Sequence, residues 1–219
     1  MKASAYSSVL GLSASVVLLC AVVTLWRRSL TAIVRALAVQ GIALACVAMS
    51  VGLHERDVGL VIIAVLVLCA KGVVVPTLIT RVVRHDPASS ESQPLVNVPA
   101  SLVAAGALVF LAFAATRSVT ELVPTIAGRL IPFGMAAMLV GFFALATRRK
   151  AVSQIVGLLL VDNGVALVAF LATAGVPVIV ELGASLDVLL AVVVLRVLAI
   201  QMRAHVGSLD LDQLAELHD

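Results

Sequence analysis

The chain has 219 residues, 62% of them hydrophobic and only 12% charged, with a mean hydropathy of +1.19. A soluble domain carries about twice that share of charge, so the composition excludes one and predicts an all-α, polytopic transmembrane helix bundle. The 15 Lys and Arg against 12 Asp and Glu report orientation in the bilayer rather than nucleic-acid binding.

At about 20 apolar residues per bilayer crossing, seven spans are predicted. The first covers roughly 5–26 and is closed by Arg27 and Arg28. Its apolar run is longer than that of a signal peptide and its arginines follow the run, so it reads as a retained span. The second covers 32–53 and ends at His54-Glu55-Arg56-Asp57. The third covers 58–80, contains Lys71 and Pro76, and ends at Arg81 and Arg84. Residues 1–85 thus form a three-helix half, and the polar segment from His85 to Pro94 opens a cytoplasmic linker over 86–98.

Residues 99–203 hold four further spans, at roughly 99–116, 128–147, 151–174 and 178–202, followed by a tail over 204–219. Pro132 falls in the first turn of the fifth span, where a missing N–H is tolerated. One set of span ends carries Arg27, Arg28, Arg81, Arg84, Arg148, Arg149, Lys150 and Arg203. The other carries fewer basic residues, offset by Glu55, Asp57, Glu121 and Glu181. The positive-inside rule puts the first set in the cytoplasm, with the N-terminus outside and the C-terminus inside. In the tail, Asp210 and Gln213 have capping-box spacing, and Leu211, Leu214 and Leu217 recur every three residues. A short cytoplasmic docking helix is expected there.

Inward of the span-end residues Arg129 and Glu181, five charged residues lie within spans: Arg35, Lys71, Asp162, Asp187 and Arg196. Such residues are costly in a bilayer and by default point to function, or to a carboxylate that only braces a neighbouring helix. Arg35 is close enough to an end to snorkel. Lys71 lies ten residues before Arg81, about 15 Å at helical rise, and is followed by Pro76, which is expected to disturb the helix. Asp162 lies about 18 Å beyond Lys150, and Asp187 about 9 Å beyond Glu181. Arg196 falls on the opposite helical face from Asp187.

Asp162-Asn163-Gly164 has turn chemistry, so Asn163 and Gly164 are expected to break the helix locally against a polar cavity. Lys71, Asp162 and Asp187, with Arg196 nearer the cytoplasm, are the candidate proton or ion pathway. Burial disfavours their charged forms while opposite-charge proximity favours them, a balance in which neighbours can exchange protons. Cys20, Cys46 and Cys69 sit singly in apolar runs, and the histidines lack metal-ligand spacing, so no catalytic residue, metal or bound cofactor is predicted for this chain.

The residues from Arg148-Arg149-Lys150 through Gly157, Asp162-Asn163-Gly164 and Asp187 to Gly207-Ser-Leu-Asp-Leu-Asp-Gln-Leu, with Lys71 to Pro76, resemble hydrogenase-4 component E. The last three spans are also similar to the K-type subunit of respiratory complex I and the C-type subunit of multisubunit cation/proton antiporters. Those subunits carry buried glutamates on two adjacent helices. Here the matching positions are Leu159 and a site near Ala191, each with an aspartate one turn away.

The resemblance implies a membrane-arm subunit of a hydrogenase-4 or formate-hydrogenlyase-like, complex-I-related assembly in the bacterial cytoplasmic membrane. Its partners would be antiporter-like and other membrane subunits, with peripheral redox subunits contacted indirectly. Nickel–iron and iron–sulfur centres would belong to those partners. A purely structural scaffold subunit is the alternative. An independent transporter is a third reading, disfavoured by the lack of an evident internal repeat.

Overall fold

A computed structural model describes residues 3–85, 95–122, 124–149 and 151–173. Among these residues, six helical spans are long and apolar enough to cross a membrane, and the chain is a multi-pass membrane protein. The expected seventh span over 178–202 and the tail lie outside the described residues.

Helices α1 (Ala3–Trp26) and α2 (Leu30–Glu55) form the first two spans. Helix α2 stops because Arg56 takes up a left-handed conformation at φ 56° and bonds its N–H back to the Gly52 carbonyl, the geometry of a C-terminal cap. Asp57 then starts α3 (Val58–Val67), its Oδ1 accepting from the Gly59 N–H at 2.7 Å. Helix α5 (Val98–Ala115) starts in the same way, with Asn97 Oδ1 accepting from the Ala100 N–H at 3.0 Å. A short helix α6 (Arg117–Leu122) and a 3₁₀ turn over Gly128–Leu130 lead into α7 (Ile131–Thr147). Pro132 lies in the first turn of α7, as its missing N–H requires. Helix α8 (Ala151–Thr173) closes the described chain.

The third span is not uniformly α-helical. Helix α3 passes into a π-helical segment over Leu68–Val74 and then into α4 (Val75–His85). Pro76 supplies a physical reason. Its ring presses on the carbonyl four residues back, here that of Gly72, and the wider turn relieves this. The Val75 N–H accordingly reaches the Ala70 carbonyl, five residues back. The disturbance expected around Pro76 is therefore a π segment on its N-terminal side, and Lys71 sits within it.

Helices α2 and α8 are the most enclosed, each with 61% of its span buried, whereas α5 is the most peripheral at 17%. Helix α2 packs on α1, α3, the π segment, α4 and α8, while α7 packs on α8, α5 and α1. The α7–α8 contact is built from glycines. A Cβ at Gly141 would lie 2.6 Å from the Val161 nitrogen, and one at Gly157 would lie 2.6 Å from the Leu145 nitrogen. Gly134 and Gly164 make similar approaches, to Val168 and Met138. The glycines recur every seven residues on both helices, so small residues fall on one seam and let the backbones touch.

Side-chain contacts also sort the helix ends. Arg148, after α7, reaches Thr24 near the end of α1, while Tyr6 near the start of α1 stacks on His54 near the end of α2. The end of α1 thus lies with Arg148 at one end of the bundle, and the start of α1 with the end of α2 at the other.

Candidate functional site

The crossing of α2 over the third span builds the polar centre. A Cβ on Gly41 would lie 2.6 Å from the Lys71 carbonyl carbon and oxygen, so only glycine lets α2 come this close. Lys71, aimed inward from the π segment, is 5% exposed, and its Nζ lies 2.8 Å from Asp162 Oδ2 on α8. The Asp162 side chain is 14% exposed. Two residues that the sequence placed at mid-depth by separate counts are therefore one buried ion pair.

Beside it runs a neutral amide chain. Gln40 donates from Nε2 to the Val17 carbonyl of α1 at 3.0 Å, and its Oε1 accepts from Asn163 Nδ2 of α8 at 2.9 Å. The Val17 carbonyl can only accept, which fixes which way the Gln40 amide faces. That in turn makes Asn163 the donor. Gln40 is fully buried and Asn163 is 3% exposed. The consecutive pairs Gln40-Gly41 and Asp162-Asn163 thus join α1, α2, the π segment and α8 at one level.

This geometry corrects one expectation. Helix α8 runs unbroken through Asp162, Asn163 and Gly164, so Asn163 and Gly164 are not a helix break. The Asp162 and Asn163 side chains are engaged by Lys71 and Gln40 and do not compete for their own backbone. Gly164 is a contact residue, since a Cβ there would lie 2.5 Å from the Met138 nitrogen.

Gln40 escapes a sequence reading that weighs only ionisable residues. Its signal is a lone carboxamide deep in an apolar span. Arg35 is exposed, consistent with snorkelling. Asp187 and Arg196 lie outside the described residues. No cluster of three or more His, Cys, Asp or Glu that could hold a metal occurs among the described residues.

Arg148 has a second role that loop-charge counting misses. It is only 5% exposed, and its guanidinium donates to the Thr24 carbonyl at 2.7 Å. Thr24 lies in the last turn of α1, where carbonyls lack intrahelical partners, so Arg148 caps a helix C-terminus with positive charge. Burial pushes its pKa below the usual arginine value. Its own carbonyl accepts from Gln154 Nε2 at 3.0 Å, which ties the turn to α8.

A buried lysine and carboxylate at hydrogen-bond distance can pass a proton between them without an intervening water. They can also serve as a fixed brace between helices. The 2.8 Å separation is short enough for either role.

No family model and no solved structure matches the chain. Hydrogenase-4 component E of Escherichia coli K12 is 29% identical over 149 residues, covering 67% of this chain and 68% of that protein. The Shigella flexneri protein of the same name matches to the same extent. Uncharacterized protein Rv0085 of Mycobacterium tuberculosis is 43% identical over 220 residues, spanning the full length of both chains. The chain therefore belongs to the same family as Rv0085.

Proposed function

We propose that the chain is a membrane subunit of a hydrogenase-4-like oxidoreductase complex, and that Lys71 and Asp162 form part of its proton or sodium pathway. The observation that carries this reading is the 2.8 Å Lys71–Asp162 contact in the interior of an apolar bundle. The likeness to hydrogenase-4 component E supplies the complex. Charged residues at that depth default to transport roles. Asp187 and Arg196 would extend the path. Redox centres would reside in partner subunits, with antiporter-like subunits as membrane neighbours in the bacterial cytoplasmic membrane.

The test is Asp162→Asn, which keeps the shape and loses the titration. The complex should assemble, while ion translocation per redox turnover in proteoliposomes should fall. The Gln40–Asn163 amide chain favours a second reading, a scaffold whose polar groups only join helices. An unchanged translocation ratio with normal assembly would leave that scaffold reading standing.

A further inference from the structure

At the Arg148 end of the bundle, α1, α2, α7 and α8 line a small, partly open cavity, with Thr24, Ile33, Arg148, Ser153, Gly157 and Leu160 among its walls. Its free volume is about 10 Å³, room for about one water. Ser153 is 3% exposed, and its hydroxyl has no hydrogen-bond partner among the described residues. Several other buried or half-buried hydroxyls among the described residues return to a carbonyl of their own helix. Thr24 bonds to Ala21, Ser50 to Cys46, Thr116 to Ala112 and Thr147 to Phe143. Ser153 is the third residue of α8, so the carbonyls three and four back lie outside the helix. A buried hydroxyl left in that state carries the full desolvation penalty of its polar group.

We infer that this cavity is a built site for one water molecule, hydrogen-bonded to Ser153 Oγ beside the Thr24–Arg148 cap. Ile33 and Leu160, 2% and 0% exposed, form the apolar floor that stops hydration there. Ser153, Gly157, Leu160 and Asn163 follow at three- and four-residue spacing along one face of α8. The water thus lies on the face that carries Asn163, about 15 Å away at helical rise, with Leu160 between. The site stands whether or not Lys71 and Asp162 carry protons.

The experiment replaces Cys20, Cys46 and Cys69 with alanine and introduces Ser153→Cys or Leu160→Cys into the full-length chain in permeabilised membranes. Silver ion is the probe, and thiols it leaves unreacted are counted with a maleimide after denaturation. The thiol of the Ser153→Cys variant should react at least about ten-fold faster than that of Leu160→Cys, because the reactive form is the thiolate, which needs water. Equal rates, slow or fast, overturn the proposal, the first because the cavity is dry and the second because it has no floor. A second measurement needs no substitution. High-resolution density for the unmodified protein should show a peak about 2.7–3.0 Å from Ser153 Oγ, unchanged when chloride is exchanged for bromide. No peak, or a heavier one in bromide, makes the site dry or an anion site and overturns the inference.

Discussion

At the scale of single residues, the Lys71–Asp162 pair makes a prediction independent of any transport assay. Removing Lys71 takes from the Asp162 carboxylate its partner at 2.8 Å, and breaking a buried pair from one side costs about 3–5 kcal/mol. Replacing both with apolar residues removes two desolvation penalties together. Lys71→Met alone should therefore lower thermal stability in detergent sharply, and adding Asp162→Leu should restore most of it. A double variant no more stable than the single would mean that the two side chains do not depend on each other. Gln40→Leu should cost less, about 1–2 kcal/mol, because it breaks neutral hydrogen bonds to Val17 and Asn163. Lys71 and Asp162 are legible in the sequence because depth makes a charge conspicuous. That they touch each other is not, since helix adjacency has no local signature. Asn163-Gly164 misleads for a related reason. Its turn preference belongs to a side chain free to bond its own backbone, and in the bundle that amide is held by Gln40.

At the scale of helices, most span boundaries are readable because they follow composition and capping. The expected start at 99 is met by α5 at Val98, and the close of the second span is fixed by Arg56 and Asp57. The π segment is only half readable. Pro76 announces a disturbance, but which carbonyls it displaces depends on how closely α2 presses through Gly41. The α7–α8 seam yields a graded prediction. At Gly141 or Gly157 an added methyl meets backbone, which cannot rotate away, so either alanine variant should destabilise by about 1–3 kcal/mol or more. Gly106 on α5 has nothing within 4 Å of a Cβ. Gly106→Ala should be neutral, or stabilise by up to about 1 kcal/mol through helix propensity. Melting temperatures of the three variants in one detergent check the ordering. Equal melting temperatures would mean that α7 and α8 are not in backbone contact.

At the scale of the whole molecule, the described helices share one strongly basic end, and one of its arginines also has a structural role. Arg27, Arg28, Arg81 and Arg149 are exposed there, while Arg148 is drawn inside to cap α1. If all six candidate spans among the described residues cross, α8 ends on the side where α1 begins. The apolar run over 178–202 is long enough to cross once more and would carry the C-terminus to the basic end. By the positive-inside rule that end is expected in the cytoplasm. A reporter within 54–57 should therefore read outside, one within 86–93 cytoplasmic, and a tag after Asp219 cytoplasmic. The three readings fail separately. If the first two invert, the charge argument gives the wrong orientation although the bundle stands. If they hold and the tag after Asp219 reads outside, the run over 178–202 does not cross the bilayer. Asp187 would then lose its claim to membrane depth, and the pathway would rest on Lys71 and Asp162 alone.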